Sequence, residues 1–235
     1  MLCHPEQVLY SKKYRQRGII NRIGQGKYGK IYVGCLTSKC KIPIAIKKST
    51  DDLTKEYRIM KKAYSLIPKH IVQPYHMSKC KQNSIIYSEY FPQGTLYDNP
   101  KKITKASVLQ VLMTLFVLQK NDIKHNDVHL KNILVDGKRI ALTDFGLANN
   151  MSNDYKGYGI GPKSDPGYDY HMFLNLLYTM NIPRMNVLIE KLLPLDYLGF
   201  DTPKVYNYRL RYDVDHSRLP SLKSIIQNKI FYNNK

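Results

Sequence analysis

Two acidic residues and an amide lie close together near the middle of the chain. Asp127 and Asn132 are five residues apart in the segment His125–Leu134, and Asp144 follows twelve residues after Asn132. Carboxylate and amide oxygens suit Mg²⁺ together with phosphate oxygens, and a carboxylate can orient an attacking hydroxyl. The spacing therefore predicts a site for magnesium-dependent phosphoryl transfer.

A glycine-rich run, Gly24–Ile31, lies between two strand-like segments in the first third of the chain. Gly24, Gly26 and Gly29 have no Cβ, so the backbone there can approach phosphate oxygens and offer its N–H groups. A dinucleotide-binding βαβ unit is excluded because the glycines lead into a strand and not into a helix. By itself the run is equally compatible with a glycine-rich hairpin that binds nothing.

Lys47 ends the apolar strand-like run Ile44–Lys47. A lysine at the end of a buried strand needs an anion or a carboxylate beside its ammonium group. Glu56 is the available carboxylate, because Asp51 and Asp52 lie where the dipole of the following helix favours them as caps. The alternative is that Lys47 and Glu56 are both surface residues of a lysine-rich chain.

The elements that must position these residues change in character near residue 90. After it the pattern is mainly helical, whereas before it short β-rich runs are separated by turn signals. One helix, with apolar residues recurring from Leu53 to Tyr64, interrupts these strands, and Thr50 or Asp51 is the expected cap. The predicted strands are Gly18–Ile23, Lys30–Gly34, Ile42–Lys47 and Ser84–Tyr90.

The second part of the chain is expected to hold two core helices and a hairpin. A loop rich in Gly, Asn, Asp and Lys is predicted for Asn149–Gly167. The predicted elements are a helix at Val108–Leu118 capped by Ser107, strands at Ile133–Val135 and Arg139–Leu142 joined by the turn Asp136-Gly137, and a helix at Tyr168–Met180.

Composition narrows the class of protein. The 235 residues include 37 Lys+Arg against 18 Asp+Glu, a net charge of +19, and 43% are hydrophobic, which excludes a disordered basic tail. Such a charge attracts acidic proteins, nucleic acid, acidic lipids or phosphorylated small molecules without choosing among them. The four cysteines have neither CxxC nor zinc-finger spacing and are expected to be reduced. The sequence shows no secretory signal, and its longest apolar run is well short of the ~20 residues of a membrane span, so we expect a cytoplasmic protein.

Taken in order, these motifs resemble those of the protein kinase superfamily over about Ile19 to Met180. The first motif along the chain is GxGxxG, which is followed by Ala45-Ile46-Lys47. After these come the pattern HxD(x4)N, a hairpin and Asp144-Phe145-Gly146. The resemblance implies one kinase domain with a two-lobed α+β fold. Residues 1–90 would form a small antiparallel sheet lobe with one helix, and residues 91–235 an abbreviated, mainly helical lobe. The Lys-, Asn-, Tyr- and Ile-rich usage is similar to that of compact kinases encoded by large DNA viruses or other AT-rich genomes.

The resemblance assigns roles to the catalytic and metal-binding candidates. Lys47 would hold the α- and β-phosphates of ATP and pair with Glu56. Asp127 would accept or orient the proton of the substrate hydroxyl, and Asn132 and Asp144 would hold Mg²⁺.

Eight further positions match the nucleotide-binding residues of kinases. They are Gly24, Gly26 and Gly29 for the ATP phosphates, Ile31, Ala45 and Leu134 for the faces of the adenine, and the backbone of Glu89 and Phe91 for its edge. Asp169, at the start of the second apolar helix, resembles the buried acid of kinases that binds the backbone of the catalytic loop. The alternative is that Asp169 simply caps this helix.

Two replacements depart from the family pattern. Asn126 stands where kinases usually have an arginine that receives an activation-loop phosphate, so switching by that phosphate is not expected. His129 replaces a lysine that steadies the γ-phosphate, which is similar to haspin-like kinases and to aminoglycoside and choline kinases. No Ala-Pro-Glu follows Asp144-Phe145-Gly146.

Three functions therefore remain from the sequence. The first is ATP- and Mg²⁺-dependent transfer to Ser/Thr hydroxyls of proteins, in preference to Tyr. The others are a small-molecule phosphotransferase and a catalytically silent basic scaffold that binds protein or nucleic acid. Lys156, Lys163 and the basic cluster at 12–17 are candidates for docking acidic protein substrates, with a solvated face as the alternative.

Overall fold

In this computed structural model the described residues are 22–26, 29–35, 42–150, 167–199 and 217–233. The chain divides into two compact units, residues 1–92 and 93–235. That division lies two residues beyond the predicted boundary at 90/91. The basic cluster at 12–17 and both Lys156 and Lys163 lie outside the described residues.

The first unit contains a five-stranded antiparallel sheet in the order β1-β2-β3-β5-β4. Its apolar core includes Ile44 and Ile46, which share one face of β3 because side chains alternate along a strand. The same alternation places Ala45 and Lys47 on the opposite face. The strands are β1 Arg22–Gly26, β2 Gly29–Cys35, β3 Pro43–Ser49, β4 Pro74–Lys79 and β5 Ser84–Glu89.

One helix, α1 at Thr54–Leu66, lies between β3 and β4, as predicted. Neither expected cap is used, since the residue before the helix is Leu53 and no side chain caps it. Instead the Asp52 carboxylate accepts hydrogen bonds from the N–H of Thr54 and from Lys79 Nζ, at 2.9 and 2.7 Å. These contacts hold the pKa of Asp52 below its usual value, mainly through Lys79, and tie the start of α1 to the end of β4.

Strand β4 was not predicted from the sequence. It is an edge strand that pairs only with β5 in the described sheet, and most of its residues are partly or fully exposed. An edge strand needs few apolar residues, so its segment, Pro-Tyr-His-Met-Ser-Lys, carries a weak pattern.

Cys80, just beyond β4, is disulfide-bonded, which differs from the reduced cysteines expected. The cysteine spacing carries no signal of that bond.

The second unit is mainly helical, which, with the sheet of the first unit, confirms the predicted α+β class. Its hairpin closes at Asp136-Gly137 as predicted, with Gly137 at φ 60°. The first helix is capped by Thr104, and Ser107 completes a capping box, so the prediction that Ser107 is the cap was wrong by one turn. The elements are α2 Lys105–Lys120, β6 Ile133–Asp136, β7 Arg139–Leu142, α3 Tyr168–Thr179, α4 Pro183–Glu190 and α5 Leu222–Ile226.

The core of the second unit is built around α3, most of whose residues are buried on all sides. Phe173, Leu174 and Leu177 are at most 1% exposed, and Val111 and Leu112 of α2 are equally buried. A helix that is buried around most of its circumference lies in the centre of a domain, and the buried polar residues of α3 are His171 and Asn175. Across the described residues, no helix is long and apolar enough to cross a membrane.

Candidate active site

Lys47 and Glu56 form a nearly buried ion pair in the first unit. Nζ of Lys47 lies 2.8 Å from Oε1 and 2.9 Å from Oε2 of Glu56, and the side chains are 14% and 6% exposed. Lys47 projects from the central strand β3, and Glu56 from the first turn of α1. The contact expected from the sequence is therefore present, and the lysine ammonium group is held in a fixed place.

The face of the sheet that carries Lys47 also carries two of the positions matched to adenine. Ile31 lies directly opposite Lys47 in the β2–β3 register, and residues opposite each other project to the same side. Ala45 shares that face through the alternation of β3. The third such position, Leu134, lies on β6 of the second unit, opposite Ala141.

The three glycines of the β1–β2 hairpin differ in whether the packing of the sheet requires them. Gly24 and Gly26 lie on β1 and Gly29 on β2, where Gly26 and Gly29 face each other. A Cβ on Gly29 would be 2.6 Å from the carbonyl oxygen of Lys48, so the packing of β2 on β3 requires a glycine there. A Cβ on Gly24 would meet nothing nearer than 3.8 Å, so the sheet does not require that glycine.

Of the two residues matched to the adenine edge, Glu89 is the last residue of β5 and Phe91 lies two residues beyond it. The N–H of Glu89 donates to the carbonyl of Gln73 at 2.9 Å, and its carboxylate accepts from the N–H of Gln73 at 3.3 Å. The backbone N–H and the side chain of Glu89 therefore both contact Gln73. The ring of Phe91 is 4% exposed, so a ligand contact at this residue would use backbone atoms.

In the second unit, Asp169 holds the backbone of residues 125–132, which match the catalytic loop of kinases and are called the catalytic loop below. Its carboxylate accepts hydrogen bonds from the N–H groups of His125 at 2.7 Å and of Asn126 at 2.8 Å. No side chain caps α3, where Asp169 lies in the first turn. Asp169 is therefore a tie between α3 and the loop, and the alternative of a simple cap is wrong.

Asp127 and Asn132 contact each other directly across this loop. Nδ2 of Asn132 donates to the carbonyl oxygen of Asp127 at 3.0 Å and to its Oδ2 at 3.2 Å. The amide nitrogen thus faces Asp127, which leaves Oδ1 of Asn132 as the atom that could bind a cation. Nε2 of His129 lies 3.6 Å from Oδ2 of Asp127, and these two side chains are 13% and 15% exposed.

Asp144 follows the hairpin that begins at Asn132. The N–H of Thr143 donates to the carbonyl oxygen of Asn132 at 3.0 Å, which brings the start and the end of the hairpin together. Asp144 itself has φ 60°, a left-handed conformation that is uncommon for a residue with a Cβ and is typical of functional sites. The next residue, Phe145, is fully buried against the ring of His125, with ring centroids 4.7 Å apart.

The oxygen donors of Asn132 and Asp144 fit Mg²⁺ in chemical type, because this ion takes one or two carboxylates with phosphate and water oxygens. Among the described residues, no group of three or more His, Cys, Asp or Glu side chains is arranged to hold a metal.

A contact that the sequence did not reveal lies beside the catalytic loop. Nζ of Lys131 lies 4.7 Å from the centroid of the Tyr97 ring, and Tyr97 is 47% exposed. The N–H of Tyr97 donates to the carbonyl of Leu130 at 3.3 Å, so the ring is anchored to the same loop. No local signal predicts this contact, because the two residues are far apart in the chain.

The Protein kinase domain family matches residues 18–168, and the chain belongs to this family. It is similar to Dual specificity protein kinase pyk3 of Dictyostelium discoideum, with 28% identity over 199 residues, which are 73% of this chain and 14% of that protein. It is similar to Probable serine/threonine-protein kinase PLK of the same organism, with 32% identity over 155 residues, 60% of this chain and 16% of that protein.

Tyrosine-protein kinase ABL2 of Homo sapiens is 28% identical over 147 residues, 57% of this chain and 12% of that protein. The chain thus spans only 12–16% of the length of these three relatives. Their names cover serine/threonine, tyrosine and dual specificity.

Proposed function

We propose that this chain is a protein kinase that transfers the γ-phosphoryl group of ATP to Ser/Thr hydroxyls of protein substrates, with Mg²⁺. The observation that carries the proposal is the catalytic loop. Asn132 donates one hydrogen bond to the Asp127 carboxylate and one to the backbone carbonyl of Asp127, and Asp169 holds the backbone before Asp127 through two more. A carboxylate held in this way can orient a hydroxyl group without first reorganising.

The proposed mechanism gives each group of residues one task. The Asp127 carboxylate would accept a hydrogen bond from the substrate hydroxyl and then its proton. Lys47, held by Glu56, would bind phosphate oxygens of ATP with its ammonium group. Bound Mg²⁺ would neutralise charge on the phosphates, and Asn132 Oδ1 and the Asp144 carboxylate are the proposed ligands.

The proposed acceptors are proteins with acidic residues near the phosphorylated hydroxyl. Lys131 is exposed and lies four residues after Asp127, and its ammonium group is held over the ring of Tyr97 at 4.7 Å. A cation held by an aromatic ring attracts a carboxylate close to the reacting group, and the +19 charge of the chain favours the same partners.

A charge reversal tests the preference for acidic substrates. Lys131→Glu should lower kcat/KM for a Ser peptide flanked by Asp and Glu, and raise it for the same peptide flanked by Lys. Lys138→Glu is the matched control, because Lys138 is exposed on the hairpin turn away from the catalytic loop and changes the net charge equally. Equal effects of the two variants would assign the preference to net charge alone and refute a role for Lys131.

Transfer of label from radioactive ATP by the purified 235-residue chain tests the function itself. Casein and histone are the protein acceptors, and phosphoamino acid analysis of the product separates Ser/Thr from Tyr. Lys47→Ala and Asp144→Ala should each abolish transfer while far-UV circular dichroism stays unchanged. Undiminished transfer by folded Asp144→Ala would refute the assignment.

A second candidate function is favoured by His129, which lies 3.6 Å from the Asp127 carboxylate in place of the usual lysine. This replacement is similar to the small-molecule kinases, so aminoglycosides and choline belong in the same panel of acceptors. Label in these compounds with none in casein or histone would establish this second function. Binding of nucleic acid with a steep salt dependence, without a thermal shift by Mg-ATP, would instead establish the scaffold.

A further inference from the structure

Asn126, the residue before Asp127, is fully buried and links two segments of the second unit. It is 0% exposed, and its backbone N–H donates to Asp169. Its side-chain Nδ2 donates to the carbonyl oxygen of Leu147 at 3.0 Å and to Oδ1 of Asn149 at 2.9 Å. The side chain therefore joins the catalytic loop to the segment that follows Asp144.

The orientation of this amide is determined by its surroundings. The carbonyl of Leu147 can only accept a hydrogen bond, so the nitrogen and not the oxygen of the Asn126 amide must face it. Asn126 also has φ 63°, a left-handed conformation that asparagine tolerates better than most residues with a Cβ. Both the side chain and the backbone conformation thus favour asparagine at this position.

Three other contacts join the same two segments. Lys124 and Asn149 exchange backbone hydrogen bonds of 2.9 and 3.0 Å, and Nε2 of His125 lies 3.0 Å from the carbonyl oxygen of Thr143. Asp127 directly follows Asn126 in the chain, and Asp144 lies between Thr143 and Asn149, which take part in these contacts. The distance between these two carboxylates consequently depends on the contacts that Asn126 makes.

We propose that Asn126 is a positioning residue that holds the segment Asp144–Asn149 against the catalytic loop through an uncharged amide. Both N–H groups of the amide have acceptors, so the contact needs no anion. A buried arginine here would need one, because an unpaired charge is costly to bury. The catalytic arrangement therefore exists before any phosphate is added to the chain. This inference rests on the proposed kinase function.

Asn126→Gly tests the proposal, because glycine keeps the left-handed backbone and removes only the amide. Its kcat should fall by roughly tenfold, the cost of about one buried hydrogen bond in the reacting arrangement. The Mg²⁺ concentration for half-maximal rate should rise, since Asp144 is held less firmly, while KM for the peptide stays constant. Asn126→Asp should be worse, because a carboxylate would face two acceptors.

The matched control is Asn175→Ala, which removes another fully buried asparagine, on α3 of the same unit. It should lower thermal stability without changing the Mg²⁺ requirement. Hydrogen exchange supplies a readout that needs no activity: the backbone amides of Lys124 and Asn149 should exchange faster in Asn126→Gly than in the control.

Regulation is tested on wild-type protein treated with phosphatase and shown by intact mass to carry no phosphate. We expect its full initial rate without a lag. A lag that ends as phosphate is incorporated would overturn the proposal, as would an Asn126→Gly variant with wild-type kcat, Mg²⁺ requirement and exchange. A wild-type chain that phosphorylates no acceptor would overturn the kinase function and this inference together, whereas the other outcomes overturn the inference alone.

Discussion

Removing one member of the Lys47–Glu56 pair should destabilise the protein more than replacing both. The variants are Lys47→Met, Glu56→Met and the double variant, since methionine is unbranched and similar in length to both side chains. Each single variant leaves one charge in surroundings where the wild-type side chains are only 14% and 6% exposed. The double variant leaves no charge there.

The expected size follows from the geometry of the pair. At 2.8 Å and an effective dielectric constant of about 20, the attraction is about 6 kcal/mol. Most of it is offset by the desolvation of both groups, so the pair contributes little beyond an apolar pair of the same volume. A single variant loses the attraction and keeps one desolvated charge, which costs about 3–5 kcal/mol, whereas the double variant should lie within about 1 kcal/mol of wild type.

Urea denaturation measures these differences. The chain has 20 Tyr and no Trp, so tyrosine fluorescence and far-UV circular dichroism are the probes. With a slope of about 2 kcal/mol per molar urea, the single variants should lower the midpoint by about 1.5–2.5 M. All three variants should lack phosphotransfer activity, which separates the catalytic role of the pair from its effect on stability.

Additivity would refute this reasoning. If the losses in the free energy of unfolding from Lys47→Met and Glu56→Met simply sum in the double variant, the two groups are not coupled. Single variants that each cost under about 1 kcal/mol would show that the pair behaves as a solvated surface ion pair.

Three further outcomes are expected. Gly29→Ala should lower the free energy of unfolding by about 1–3 kcal/mol in urea, because its Cβ would clash with a β3 carbonyl, whereas Gly24→Ala should leave stability unchanged and raise KM for ATP. Asp169→Asn should lower the free energy of unfolding by about 1–3 kcal/mol and also lower kcat, because an amide offers only one acceptor oxygen to two backbone N–H groups. A variant with wild-type kcat would contradict this. Asp52→Asn should lower the thermal midpoint at pH 7, because a carboxyl group whose pKa is lowered by folding stabilises the fold above its unfolded pKa. The carboxylate loses this effect as it is protonated, so the difference between the variant and the wild type should vanish well below pH ~4.

Features that depend on nearby residues were predictable from the sequence. The Asp136-Gly137 turn closes its hairpin as expected, because a glycine in the second place suits the left-handed conformation found there. The carboxylate partner of Lys47 was found because few acids lie in the segment that follows it. The predicted start of α2 was less accurate. Thr104 and not Ser107 caps this helix, and both residue types suit the cap position.

Features that depend on distant residues were not predictable. Asn126 differs from the family pattern in the sequence, but its two acceptors lie 21 and 23 residues further along the chain. Lys131 is one lysine among many until its position over Tyr97 is known. Strand β4 at the sheet edge was not predicted, because it is recognised as a strand by its pairing with β5 and not by the pattern of its own residues.

The sequence alone indicated the family, since the kinds of residues and their order along the chain are those of the Protein kinase domain family, to which the chain belongs. The tertiary structure decided how those residues are held: which carboxylate ties the loop, which glycine the packing requires, and which acceptors the Asn126 amide contacts. The physical reason is that local conformation follows from neighbouring residues, whereas a hydrogen bond between distant segments exists only after packing has brought donor and acceptor within about 3 Å.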